Sequence, residues 1–197
     1  THRRDVRQVW FVCHGYGQLA QQFLRQFEVL DDGRRLIVAP EGLSRYYTDH
    51  MERRVGASWM TGEDRLSEIS DYVDYLDALY EHVLKRHRRS CVDVYVLGFS
   101  QGAATAARWI SHGSATADRL ILWAALLPPD LDLGIAWGKL EDSRLTFVVG
   151  EQDEGVRTSE LEELEARLVD HQIPYETVSF TGGHRLDPDV LRSLAAT

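Results

Sequence analysis

The stretch DVYVLGFSQGAATAARW, residues 93–109, decides the fold. Val94, Tyr95, Val96 and Leu97 form an apolar run. Gly98-Phe99-Ser100-Gln101-Gly102 follows, and then an alanine-rich segment of helical character. Gly-x-Ser-x-Gly alone says little: at ordinary glycine and serine usage it arises by chance in about one 200-residue chain in fifteen. Its context says more. A strand feeding directly into a helix puts Ser100 on the turn between them. Flanking glycines permit the sharp backbone of a nucleophile elbow. A serine opening a helix is also an ordinary N-cap. Ala103, Ala104, Ala106 and Ala107 let the helix lie close on whatever it covers.

Working outward, similar apolar runs recur at residues 9–13, 36–39, 120–123, 145–149 and 175–180. They lack polar alternation, as strands buried on both faces do. Helix-period segments lie between them. Leu19, Phe23, Phe27 and Leu30 mark one helical face, and Leu66, Ile69, Val73, Leu76, Tyr80 and Val83 mark another. Thr61-Gly62-Glu63-Asp64 offers a capping-box-like start to that second helix, expected over residues 64–87. Ser159 with Glu162 opens a further helix, and Val190, Leu191 and Leu194 point to a last one. Residues 41–62 read as irregular, and residues 126–140 as a loop. Strand–helix alternation over 197 residues predicts one α/β domain, residues 1–197: a three-layer sandwich with about six mostly parallel strands and no cap domain.

Composition narrows the function. A net charge of −9 disfavours nucleic acid as a partner. The basic run Lys85-Arg86-His87-Arg88-Arg89 suits a helix C-terminus. No apolar stretch is long enough to span a membrane. Cys13 and Cys91 read as buried small hydrophobes, with no disulfide framework. No cysteine–histidine cluster calls for a metal, and no cofactor is expected. The chain begins at Thr1 without Met, so the true start is expected upstream; with no signal peptide visible, cytoplasm is the default location. Oligomeric state is not legible.

In parallel sheets covered by helices, sites form outside the carboxyl ends of the strands. Ser100 is one candidate there. A serine hydroxyl needs a base, and of the eight histidines His184 follows the last apolar run, framed by Gly182-Gly183. His82, His87, His112 and His171 fit helix surfaces or ends. The base needs an acid to orient it. Asp153 follows the run at 145–149, with Glu151 and Glu154 as neighbours that are candidates too. Asp130, Asp132 and Asp142 do not directly follow an apolar run. Ser100, Asp153 and His184 come in the chain order of α/β-hydrolases. Acyl transfer also needs donors for the developing oxyanion. The Gln101 N–H at the helix start is one. The Tyr16 N–H in His14-Gly15-Tyr16-Gly17 is the other; the plainer reading of that loop is a glycine-rich turn.

His14-Gly15-Tyr16-Gly17, Gly98-Phe99-Ser100-Gln101-Gly102, Gly150-x-x-Asp153-x-x-Val156 and Gly182-Gly183-His184, in that order, resemble the phospholipase/carboxylesterase family. That family includes the acyl-protein thioesterases and belongs to the α/β-hydrolase superfamily. The resemblance implies Ser100, Asp153 and His184 as triad, and Tyr16 and Gln101 as oxyanion donors. It also implies a six-stranded core in the order 2-1-3-4-5-6, counting the apolar runs. Gln18 stands where the family commonly has an acid, and Ala103 where a third glycine is common. Ser58-Trp59-Met60 is similar to the family's Ser-Trp-aromatic segment.

Trp59, Met60, Leu126 and Leu127 either line an acyl pocket or belong to the core. The expected activity is hydrolysis of carboxylic esters with short to medium acyl chains through an acyl-enzyme. The rivals are a thioesterase or small-peptide hydrolase with the same triad, and a non-catalytic hydrolase-fold binding protein. The expected partner is a small ester or thioester.

Overall fold

The structure, a computed structural model, describes residues 6–196, and of residues 135 and 137 the backbone path only. Thr1, on which the expectation of an upstream start rests, lies outside the described residues. Among the described residues, six of the eight strands form one parallel sheet: β1 (Gln8–Cys13), β2 (Arg35–Val38), β5 (Asp93–Phe99), β6 (Arg119–Trp123), β7 (Arg144–Gly150) and β8 (Tyr175–Phe180). The other two are β3 (Ser44–Asp49) and β4 (Arg54–Ser58). The sheet order is β2-β1-β5-β6-β7-β8, which is the order 2-1-3-4-5-6 of the six apolar runs.

Alternate residues of β1 serve opposite cores, as a pleated strand requires. Val9, Phe11 and Cys13 join the cluster under α2 (Arg65–Leu84), α3 (Gln101–His112), α4 (Leu133–Leu140) and α5 (Thr158–Asp170). Trp10 and Val12 join the other cluster, with Phe23, Phe27 and Leu30 and with Leu191 and Leu194 of α6 (Pro188–Ala196). Buried Arg119 on β6 bonds Thr146 on β7, Glu176 on β8 and the Leu194 carbonyl on α6, binding that layer to the sheet.

Several expectations need correction. Residues 41–62 are not irregular: β3 and β4 pair there as an antiparallel hairpin. Both faces of β3 are largely exposed, so it shows no apolar pattern. The face marked by Leu19 to Leu30 is not one helix but α1 (Ala20–Leu24) followed by a 3-10 segment, Arg25–Leu30. The long helix starts at Arg65, and Asp64 before it is left-handed with φ 46°, so no capping box forms. Leu66, assigned to its apolar face, is 73% exposed; Tyr72, Val73 and Leu76 carry the packing. Residues 133–140 form α4 within the expected loop. Cys13 is buried but Cys91 is exposed.

Candidate active site

The elbow is built by close approach. Ser100 has φ 54° and ψ −120°, a conformation that costs a non-glycine residue about 1–3 kcal/mol. Its N–H donates to the Trp123 carbonyl at 2.8 Å, extending the β5–β6 pairing to the turn. A Cβ at Gly98 would collide with the Gly102 carbonyl, and one at Gly102 with the Cys13 carbonyl. Helix and strands therefore meet backbone to backbone at the serine. Its side chain makes no cap bond to α3, so the plain N-cap reading fails.

His184 reaches the elbow from the loop after β8. Its ring centroid lies 5.0 Å from that of Phe99, next to Ser100 in the chain. Gln152 N–H donates to the Gly182 carbonyl at 2.9 Å, which docks this loop on the one after β7. His184 Nδ1 sits 3.0 Å from both carboxylate oxygens of Asp153. The Asp153 side chain is fully buried, whereas that of His184 is 44% exposed. Asp153 Oδ1 also accepts the Gly155 N–H at 2.9 Å. Glu151 instead takes the Thr181 hydroxyl, and Asp130 pairs with Arg65 and Arg108. Among the described residues, no hydrogen bond joins Ser100 Oγ to His184; in unliganded sites that contact is often open and tightens with substrate. His82, His112 and His171 are exposed on helix surfaces or ends.

The His14–Gly17 loop lies against the serine: a Cβ built on Gly15 would be 3.3 Å from Ser100 Cβ. His14 is wholly buried and its hydrogen bonds fix its tautomer. Nε2 accepts the Gly42 N–H at 2.9 Å, so Nδ1 carries the proton and donates to the Gly15 carbonyl at 2.8 Å. Burial holds the His14 pKa below its ordinary value, in keeping with a neutral ring. In a trans peptide the C=O and N–H point in opposite directions. Drawing the Gly15 carbonyl toward His14 thus turns the Tyr16 N–H away from it, and among the described residues nothing takes up that N–H. Gln18 Oε1 accepts the Gly15 N–H at 2.8 Å, so the residue in the family's acidic position braces the loop instead. The Gln101 N–H is the first of α3 and has no intrahelical partner.

The hairpin backs this loop. Gly17 N–H donates to the Ala57 carbonyl at 2.9 Å, and Ala57 N–H to the Gln18 carbonyl at 3.2 Å. The Tyr16 ring, 59% exposed, packs on Tyr46 of β3 with centroids 5.2 Å apart. The buried Tyr46 hydroxyl is pushed up to a pKa of about 12 by desolvation, so it stays neutral.

Beside the His184–Asp153 pair runs a groove of about 450 Å³. Ala104 and Arg108 of α3, the Ala125–Leu126–Leu127 turn after β6, and Val156 and Leu164 line it. It begins at Gly155, where a Cβ would stand 3.3 Å from His184 Nδ1. Leu126 and Leu127 thus belong to the groove, but Trp59 does not. Trp59 is 1% exposed, in the core under the His14 loop, and its indole N–H donates to the His14 carbonyl at 2.8 Å. Met60 packs against the same core and is not part of the groove lining. The side chain of Gln101 was not legible as a functional group; it bonds residues 58–60, far away in sequence. Among the described residues, no His, Cys, Asp and Glu cluster could hold a metal ion, and no helix is long and apolar enough to cross a membrane.

A strand order of 2-1-3-4-5-6 with a serine elbow at the switch point defines an α/β-hydrolase. The family model described as serine aminopeptidase, S33, matches residues 4–167, and the chain belongs to that family. Membership makes it an enzyme of the serine-hydrolase type. The match includes Ser100 and Asp153 and ends before β8 and His184. Among solved structures, the chain is similar in fold to acyl-protein thioesterase 2 of Zea mays, with TM-score 0.73, 15% identity, and coverage of 100% of this chain and 94% of that one. SOBER1 of Arabidopsis thaliana gives TM-score 0.73 at 15% identity, with 97% of each chain covered. Esterase PE8 gives 0.69 at 21%, covering 97% of this chain and 91% of that one. No curated protein sequence matches the chain.

Proposed function

We propose that this protein hydrolyses carboxylic esters of short to medium acyl chains through an acyl-enzyme on Ser100. The observation that carries the reading is the buried Asp153 carboxylate held on His184 Nδ1, with that imidazole beside a serine strained to φ 54°. In this reading His184 Nε2 takes the Ser100 proton as Oγ attacks the ester carbonyl. Asp153 keeps the Nδ1 proton in place and stabilises the imidazolium. The N–H groups of Tyr16 and Gln101 receive the oxyanion. His184 then returns the proton to the leaving alkoxide, and the same base activates water to release the acid. Phe99 and Asp153 restrict the ring on two sides while its exposed edge stays open to substrate and water.

The groove takes the acyl chain. Its apolar stretch of Ala104, Leu126, Leu127, Val156 and Leu164 suits an alkyl group. A thioester with the same acyl part fits the same machinery. The family description and two carboxylates on the groove wall, Glu160 and Glu163, favour a second reading, a small-peptide hydrolase whose substrate amine meets those acids. Rates on p-nitrophenyl esters, acyl-CoA thioesters and aminoacyl p-nitroanilides separate the three.

A fluorophosphonate probe tests the mechanism. Intact mass rises by one adduct in the wild-type protein and not in Ser100→Ala. Folded wild-type protein that takes up no adduct rejects the nucleophile.

A further inference from the structure

The side chain of Gln101 is turned away from the cleft, and it is held at both ends. Oε1 accepts the Trp59 backbone N–H at 3.1 Å. Nε2 donates to the Met60 carbonyl at 2.8 Å and to Ser58 Oγ at 3.1 Å. Ser58 Oγ in turn donates its own proton to the Met60 carbonyl at 2.8 Å. One acceptor and two donors are needed in a fixed orientation. Only a primary amide at this reach supplies them. The segment so gripped then grips the opposite loop. Trp59 donates its indole N–H to the His14 carbonyl, one residue before Gly15. Gly42, whose N–H fixes the His14 tautomer, is packed so tightly on Ser58 that a Cβ there would stand 2.5 Å from the Ser58 carbonyl.

We propose that the Gln101 side chain is a positioning residue that sets the spacing between the two oxyanion donors. Its own backbone N–H is one donor. Through residues 58–60, Trp59 and His14, its amide fixes the loop that carries the other, the N–H of Tyr16. The proposal rests on the esterase reading for its catalytic consequence, but the clamp itself is a statement about the fold. A serine or threonine at this position would be too short to reach residues 58–60, and so would keep the helix and lose the link. A glutamate would keep the shape, set a carboxylate oxygen against the Met60 carbonyl, and break it.

The test uses Gln101→Glu, Gln101→Met and Trp59→Phe in the full chain. Trp59→Phe removes the indole donor together with part of a buried ring, so its unfolding temperature is measured beside its activity. Each folded variant is measured for kcat and KM on p-nitrophenyl acetate, normalised to active sites titrated with the fluorophosphonate, well below its unfolding temperature. Loss of one oxyanion donor in hydrolases lowers kcat about 10²–10³-fold, and a misplaced donor should approach the lower part of that range. The expected result is a kcat fall of about tenfold or more in Gln101→Glu with KM within about twofold. Trp59→Phe should reproduce part of the fall, and the double variant should be no worse than Gln101→Glu, as expected for two links of one chain.

Hydrogen exchange is followed in parallel. Peptides covering residues 14–18 should exchange faster in each variant than in wild type, with β1 unchanged. Full kcat per titrated site in folded Gln101→Glu, or unchanged exchange at residues 14–18, overturns the proposal. If the wild-type protein neither labels nor hydrolyses any ester, the esterase reading falls, and the exchange experiment alone decides the clamp. If Gln101→Glu does not fold, Gln101→Met and Trp59→Phe carry the same comparison.

Discussion

Buried His14 shows how one side chain commits a backbone group to a role. Its ring must be neutral, because Nε2 has to accept the Gly42 N–H; a proton there would face another donor. Burial keeps the pKa below its ordinary 6.5, against the smaller opposing pulls of the Gly15 carbonyl and Glu41. The unfolded chain therefore takes up this proton near its ordinary value while the folded chain resists. Stability is fully present above about pH 6.5 and declines as pH falls below it toward the folded value. The urea midpoint of the wild-type protein should drop between pH 7 and pH 5.5, above the range where carboxylates titrate, and a His14→Asn variant should show a shallower drop. A flat wild-type midpoint across that interval would reject this role for His14. The same residue marks the limit of sequence reading. His14-Gly15-Tyr16-Gly17 is recognisable as a strand-end loop, but the groups that orient it, Gly42 and Trp59, are 28 and 45 residues away. The geometry brings Asp153 to His184 where the sequence left Glu151 and Glu154 open, because only the fold shows which carboxylate is buried facing the ring.

At the scale of elements, α3 does two jobs with two faces. One face is alanine against the sheet. On the other, Ser100, Ala104 and Arg108 follow at four-residue spacing, so Ala104 stands about 6 Å and Arg108 about 12 Å along the axis from the serine. Ala104 floors the groove between them. Ala104→Leu should leave turnover of p-nitrophenyl acetate within about twofold and lower that of the octanoate about tenfold or more, since a pocket resolves chain length at that level per methylene or two. Equal losses on both esters would place the acyl chain elsewhere. The inner parallel strands were legible because burial on both faces leaves an unbroken apolar run, as in residues 94–97, whereas the edge strand β8 is only half-buried and carries Glu176, Thr177 and Ser179. The hairpin was not, because Ser44-Arg45-Tyr46-Tyr47-Thr48-Asp49 has only half-buried or exposed positions and no alternation to read. Leu66 carried a helical period yet faces solvent, since the first turn of α2 runs beyond the core that its later turns cover.

For the molecule as a whole, cohesion depends on a few polar joints inside an apolar frame. Asp77 on α2 accepts the Trp109 indole N–H at 2.8 Å, the Ser114 N–H at 2.6 Å and the Ala115 N–H at 3.2 Å, and so joins two helices and the loop leaving α3. Asp77→Ala strands three donors. It should cost about 3 kcal/mol, lowering Tm by roughly 6–12 °C for a chain of this size, with ester hydrolysis per folded molecule unchanged. A Tm within about 2 °C of wild type would mean that water replaces the carboxylate. The strand order has a further effect on how the chain is made. β1 is flanked by β2 on one side and β5 on the other, with Gln8 opposite both Arg35 and Asp93. On a ribosome, β1 and β2 emerge early and can pair, but the inner edge of β1 stays bare until β5 is released, after the hairpin and the whole of α2. That edge is made of Val9, Trp10, Phe11 and Val12, which are among the residues most prone to pair with a neighbouring chain. The nascent protein thus passes through a period when the strand leading into the His14–Gly17 loop is its stickiest part, and slow translation of residues 60–93 would lengthen it.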